Sequence, residues 1–267
     1  HSPQLRAQVC RELNRVRRTG RIPLRWQHSD TAQIDKQNEK EGCKAVRLIN
    51  TLCPIGKCFY TFLWRSGTTV KQDFAYGFTA GRRREQAILI QNVVTWRLRE
   101  AARCSPPNQK KYFSHVATLR DVSNAFPSPK FTSLSRAVDG VLSGDAATLV
   151  KTRHEQAFMV IRSQKGPWVR LKTGCGGMQG DTIMPSQFDQ LYGAKLKKVI
   201  RKRKRRGAVI LAKDPISKRK LDVGTTGYAD DIAETKLATD RETRQSEINQ
   251  SNAEMDSMLS RIGMAQN

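Results

Sequence analysis

The chain has 267 residues, with 48 Lys and Arg against 24 Asp and Glu, a formal charge of +24. Such an excess points to a polyanionic partner, nucleic acid first, bound through salt-sensitive phosphate contacts. No apolar run nears the roughly 18 residues a membrane span needs and no secretory leader is recognisable, so a soluble chain without a membrane partner is expected.

The 38 % apolar content suffices for one large domain or two subdomains. Cys10, Cys43, Cys53, Cys58, Cys104 and Cys175 fit neither a zinc-ligand spacing nor a secreted disulfide framework. Reduced thiols and an intracellular setting are expected, with nucleus and cytoplasm both open.

In chain order, the first 60 or so residues read as mixed helix, strand and loop. Arg84 to Ala101 carries Ile88, Val93, Val94 and Leu98 among basic and polar positions, which predicts an amphipathic helix packed under a sheet. Ser105 to Gln109, with two prolines, reads as a turn into a strand over Phe113 to Leu119. Asp121 stands where that strand would end. Ala157 to Leu171 looks like strand and loop. The run Gly174-Cys175-Gly176-Gly177-Met178-Gln179-Gly180-Asp181 lets a backbone approach a ligand without Cβ atoms in the way, or simply caps the helix that starts near Pro185.

The densest basic block, Lys195 to Arg206, contains Arg201, Lys202, Arg203 and Lys204. It reads as a helix continuation tracking a nucleic-acid backbone, a nuclear-import signal or a solvated charge run. Burial is not expected, because unpaired charges are costly to desolvate.

Val223 to Tyr228 and Ile232 to Thr235 read as two strands of a hairpin with Asp230 and Asp231 at its turn. Adjacent carboxylates repel and raise each other's pKa, so a tight turn presenting both suits a site where a cation, magnesium first, neutralises them. Alone, the dipeptide reads more simply as a solvated turn. Asp121 changes the weighting, because two-metal phosphoryl transfer needs carboxylates from separate strands. Arg241 to Ile262 reads as a polar helix ending at Gly263. No internal repeat is found, and the four histidines form no Ser/His/Asp or Cys/His arrangement.

Taken together, Asp121-Val122-Ser123-Asn124-Ala125-Phe126, Gly177-Met178-Gln179-Gly180 with Pro185 and Phe188, and Tyr228-Ala229-Asp230-Asp231 resemble the three palm motifs of reverse transcriptases. The non-LTR (LINE-type) retrotransposon polymerases are the nearest group. Ile22-Pro23 with Trp26, Ile34-Asp35-Lys36, Val46-Arg47-Leu48-Ile49 with Gly56-Lys57, and Gly77-Phe78 with Gly81-Arg82 are similar to that family's fingers and fingers-to-palm segments. The resemblance runs from about Ile22 to Asn267.

It implies an α+β fold of right-hand polymerase type, with fingers over 1–75 and a palm over 76–267 whose antiparallel sheet packs on helices. A thumb is missing, which reads as a fragment or a decayed copy, and the oligomeric state is left open. It further implies RNA-directed DNA polymerase activity on an RNA template, a DNA primer and dNTPs. Asp121, Asp230 and Asp231 would hold two magnesium ions, with manganese as the alternative. Lys36 and Arg47 would hold the triphosphate. Phe126 would be the gate against a ribose 2′-hydroxyl, and Gln179 and Gly180 would pack against nucleotide and template. Arg82 would touch the template strand. A group II intron-type reverse transcriptase, an RNA-dependent RNA polymerase, and an inactive basic RNA-binding remnant of the same fold are the rival readings. Pro127, Met178 and Arg120 depart from the family pattern, and strand alternation points Arg120 away from Asp121.

Overall fold

The computed structural model describes residues 2–36, 45–104, 114–161, 166–238 and 241–266. The elements are α1 (Pro3–Thr19), α2 (Leu24–Gln27), β1 (His28–Asp35), β2 (Val46–Leu52), α3 (Pro54–Arg65), α4 (Arg84–Arg103), β3 (Ser114–Arg120), β4 (Val122–Ser123), α5 (Phe131–Asp139) and α6 (Gly144–Glu155). They continue with β5 (Phe158–Ile161), β6 (Val169–Lys172), α7 (Met184–Arg205), β7 (Leu211–Lys213), β8 (Lys220–Asp222), β9 (Thr225–Tyr228), β10 (Asp231–Ala238), α8 (Arg241–Ile262) and β11 (Ala265–Gln266). Among the described residues no helix is long and apolar enough to cross a membrane.

Two compact units emerge, one of residues 1–69 and 126–187, the other of 70–125 and 188–267. The first unit is discontinuous because β5 pairs in parallel with β1, which draws a distant segment into it. No local pattern announces such a pairing.

In the first unit the sheet order is β2-β1-β5-β6. Its β1–β2 and β5–β6 pairs are antiparallel, so the sheet is mixed. Proline at the first helical position starts α3, where the missing N–H would have had no helical acceptor anyway. The helix buries Phe59, Tyr60, Leu63 and Trp64 in a core with Trp26, Val138, Leu149 and Val150. Trp26 and Phe59 stack at a tilt, with ring centroids 5.3 Å apart.

In the second unit the antiparallel sheet order is β3-β10-β9. Successive side chains of β10 face opposite sides. Thr235 looks toward α4, where its hydroxyl donates to Gln91 Oε1 at 2.9 Å. Glu234 looks toward α8, whose Ser251 donates to it at 3.2 Å. The buried stripe of α4 is Ala87 and Val94 with half-buried Gln91 and Leu98, while Ile88 and Val93 are 52 % and 42 % exposed. The expected helix is present but turned, because the polar Gln91 faces the sheet to bond Thr235 and the Gly224 carbonyl. Residues 74–76 border β9: Tyr76 N–H donates to the Gly227 carbonyl at 2.7 Å and Gly227 N–H to the Phe74 carbonyl at 2.8 Å.

α8 runs over Arg241–Ile262 and ends at Gly263, as expected. Gly263 has φ +83°, and Met264 N–H reaches back to the Leu259 carbonyl at 2.9 Å, the Schellman closure that a residue in this backbone region permits. The expected turn at Ser105 to Gln109 lies outside the described residues.

Candidate functional site

The acidic hairpin forms as its pattern suggests. β9 and β10 pair with Asp231 opposite Tyr228, leaving Ala229 and Asp230 as a two-residue turn. Ala229 has φ +58°, a region in which a non-glycine residue is strained and which recurs at functional turns. The β3–β10 ladder ends with Ile232 opposite Arg120. One step further along the same register stand Asp231 and Asp121, so the strand end and the turn bring the carboxylates of two chain segments together.

The electrostatics agree. Partial burial raises the Asp231 carboxyl above the ordinary carboxylate range, and the charges of Asp230 and Asp121 raise it further. Two like charges thus make Asp231 harder to ionise, which is the condition a bound cation relieves. Among the described residues no three His, Cys, Asp or Glu side chains are disposed to enclose an ion unaided. The trio is therefore not a preformed cage. Hard oxygen donors on a strand end and a tight turn fit magnesium in kind, since that ion commonly takes one or two carboxylates and completes its shell with water and substrate phosphates.

Beneath the turn, Phe74, Phe78, Phe188, Tyr192 and Leu196 line a cleft with Gly227 and Ala229 on its rim. Asp189 also borders it, its carboxyl pushed up to about 6 by burial and held back by Arg82. The rings of Phe188 and Tyr192 stack with centroids 5.2 Å apart. Sequence reading had not marked Asp189. Its signal was an acidic residue on the otherwise apolar face of Phe188, Tyr192 and Leu196.

Five of the sequence-nominated residues lie in the first unit. Lys36 follows β1 and Arg47 lies on β2, both exposed at the same end of one antiparallel ribbon. Lys36 N–H closes that end on the Ala45 carbonyl at 2.8 Å. Phe126 is half-buried, and its carbonyl accepts Gly177 N–H at 2.9 Å. The structure thus brings Phe126 to the glycine-rich loop.

The next glycine explains itself by contact. A Cβ on Gly176 would meet the Pro127 carbonyl oxygen at 2.1 Å. Gln179 presents its carbonyl to Asn50 N–H at 3.2 Å. Asn50 is itself fixed, its Oδ1 accepting from Ser29 and Thr31 at 3.0 and 2.8 Å.

Sequence reading missed what holds the other side of this loop. Asp181 Oδ1 accepts Ile183 N–H at 3.2 Å at the entrance to α7, and its Oδ2 pairs with buried Arg153 at 2.9 Å. Arg153 lies over the Tyr60 ring, 4.1 Å from the centroid. Thr61 bonds Thr182 and Trp64 donates to Ser186, so α3 also grips the start of α7. The only local signal was an Asp directly after Gly180.

One expectation for the basic block needs correction. Arg203 does not belong to a solvated run: it is 2 % exposed, and its guanidinium is committed to Glu234, Glu254 and Ser251. Helical spacing turns this one side chain inward, where two carboxylates compensate it. Arg201, Lys202 and Lys204 stay exposed. Arg82 is half-buried, and its Nη1 donates to the carbonyls of Gln72 at 2.6 Å and Asp73 at 3.0 Å and to that of Ala75. It braces the 72–76 turn through that one nitrogen.

No protein-family model and no curated protein matches the chain in sequence. Solved structures do match. Apo telomerase from Candida tropicalis truncated from its C-terminal domain superposes with a TM-score of 0.58 at 12 % identity, covering 92 % of this chain and 50 % of that one. Apo telomerase from the same organism gives 0.56 at 11 %, covering 100 % and 48 %. Candida albicans telomerase, solved with a TWJ fragment of telomeric RNA, gives 0.56 at 10 %, covering 90 % and 42 %. The chain spans about half the length of these structures, and at such identity the likeness concerns the fold alone. That fold is mixed α+β and shared with these telomerase structures.

Proposed function

We propose that this chain is the fingers and palm portion of an RNA-directed DNA polymerase, of the non-LTR retrotransposon type that its motifs resemble. The observation that carries the reading is the end of the β3–β10 ladder at Ile232 and Arg120, beside which the charges of Asp121 and Asp230 both act on Asp231. The likeness of its fold to the Candida tropicalis telomerase structures supports it independently.

Asp121, Asp230 and Asp231 would hold two magnesium ions, which when bound supply charge neutralisation at the attacking and leaving oxygens of an in-line phosphoryl transfer. The protein's own part is positioning. The tight turn orients Asp230 and Asp231, and the end of β3 orients Asp121. Lys36 and Arg47 are proposed to bind the triphosphate, for which a point charge and a planar fork are suited. Gln179 and Gly180 are proposed to pack against the nucleotide, and Phe126 to exclude a 2′-hydroxyl. Exposed Arg201, Lys202 and Lys204 are proposed to follow the backbone of an RNA template or DNA primer.

A second reading, a basic nucleic-acid-binding remnant without catalysis, is favoured by the lack of a preformed ion cage among the described residues. Magnesium-dependent extension of a DNA primer on an RNA template, compared with Asp230→Asn, separates the two. Extension that vanishes in the variant supports the polymerase. Tight, salt-sensitive RNA binding without extension by either chain supports the remnant.

A further inference from the structure

Arg120 is the residue that fits its position least well by sequence: a cation on the strand that delivers Asp121, at a place where an apolar side chain would pack without cost. It is 8 % exposed, so its charge is desolvated and has to be compensated. The compensation is unusually complete. Arg120 Nε donates to Glu234 Oε2 at 3.2 Å, Nη2 to Ser251 Oγ at 2.9 Å and Nη1 to Gln266 Oε1 at 2.6 Å. One guanidinium thereby ties β3 to β10, α8 and β11.

Glu234, 1 % exposed, is the centre of the cluster. Oε1 takes Arg203 from α7, and Oε2 takes Arg120, Ser251 at 3.2 Å and Lys236 at 3.4 Å. Burial alone would raise this carboxyl, but Arg203, Lys236 and Arg120 together outweigh it and hold it at about 2. Ser251 Oγ accepts from both Arg120 and Arg203 while donating to Glu234. Every polar face of the carboxylate is taken, so it has one orientation.

The cluster brackets Asp121. On one side is Arg120. On the other, Val122 is 3 % exposed and pairs in β4 with Gln266, the same residue that accepts from Arg120. Gln266 is held in turn by donating to Asp256 Oδ1 at 2.6 Å. Glu234 lies three residues beyond Asp231 on the strand that leaves the turn. An apolar pair at 120 and 234 would fill the same space and keep the β3–β10 register, but would let α8 and β11 shift against the strand end. Directional bonds to fixed partners do not.

We propose that Arg120 and Glu234 are positioning residues whose buried ion cluster sets the separation between Asp121 and the Asp230–Asp231 turn. The inference rests on the polymerase reading, since it concerns how that site is spaced. Its test therefore uses the metal alone as well as the reaction.

Mn2+ binding by the whole chain, followed by electron paramagnetic resonance, is compared with the magnesium needed for half-maximal primer extension in wild type, Arg120→Met and Ser251→Ala. Arg120→Met keeps side-chain length and leaves Glu234 with Arg203 and Lys236. Expected is a folded protein by circular dichroism with Mn2+ affinity down about tenfold, in the range that outer-shell partners of metal ligands command, and a matching rise in the magnesium requirement. RNA affinity and KM for dNTP should not move, which a general loss of structure would not allow.

Should Arg120→Met fail to fold, Ser251→Ala removes one bond of the cluster and should shift both metal readouts about threefold in the same direction. A folded variant with wild-type Mn2+ affinity and magnesium dependence overturns the positioning role alone. A wild-type chain that neither binds Mn2+ nor extends a primer overturns the polymerase reading and this role with it.

Discussion

A side-chain carbon on Gly180 would stand 2.3 Å from the carbonyl oxygen of Asn50. Gly180 also has φ +99°, so any L residue there meets backbone strain and a collision at once. Gly180→Ala should destabilise the chain by about 2 kcal/mol and loosen the 177–181 loop. Thermal melting checks the first part, and amide exchange of Gly177 to Asp181 the second. A variant with an unaltered melting temperature would show that the loop does not press on β2.

His154 gives the fold a dependence on mild acid. Burial lowers its imidazole from 6.5 to about 4, so the folded chain stays neutral there while the unfolded chain takes up a proton below 6.5. Stability is therefore full above about pH 6.5 and declines as pH falls toward 4. Between pH 7 and pH 5 the loss should be about 2 kcal/mol. Urea midpoints at the two values measure it, and His154→Phe should flatten the difference. Equal slopes in wild type and variant would assign the acid sensitivity elsewhere.

Neighbours within the basic stretch should behave oppositely. Replacing Arg201, Lys202 and Lys204 together by Ala should leave melting nearly unchanged, weaken RNA binding and shrink its log–log salt slope by roughly 0.7 for each lost contact to a single strand. Arg203→Met, by contrast, should lower stability by on the order of 3 kcal/mol, because Glu234 and Glu254 lose a buried partner. If Arg203→Met were as stable as wild type and only RNA affinity fell, the inward placement of Arg203 would be wrong.

Asp230→Asn removes a like charge from beside Asp231. The variant should be slightly more stable than wild type, by roughly 0.5 kcal/mol given how open the turn is, while primer extension falls below detection. Opposite signs in melting and in turnover are the expected pair. Loss of both together would mean that Asp230 supports the turn rather than a cation.

Phe126→Val should increase ribonucleotide incorporation relative to deoxyribonucleotide incorporation by about tenfold, the scale at which one apolar contact discriminates substrates. Competition between rNTP and dNTP on a defined template reads it out. Unchanged sugar selectivity would remove Phe126 from the gate.

What could be read from the sequence was local. An acidic hairpin with Asp230 and Asp231 at its tight end, Asp121 at a strand end and Gly263 closing α8 each follow from a few neighbouring residues whose backbone preferences agree. What escaped involved partners far along the chain. Arg203 reads as one more cation until Glu234 and Glu254 are beside it, 31 and 51 residues away. Asp181 reads as loop until Arg153 pairs with it. Strand alternation offered one usable hint: Ile232, Glu234 and Lys236 share a face of β10, and two charges on the face that carries a buried Ile imply ion pairing.

The three-stranded sheet of the second unit has two dissimilar margins. β9 is bordered by residues 74–76 through the bonds at Gly227, whereas among the described residues β3 is the outermost strand on the other side and carries Leu119 at 84 % exposure. A β-sheet lengthens wherever it offers an unshielded row of amides and carbonyls beside apolar side chains. In concentrated solution, self-association of this protein should thus begin at β3 and proceed outward from the strand that carries Asp121, so that conditions favouring aggregation would also mask the carboxylate end of the sheet.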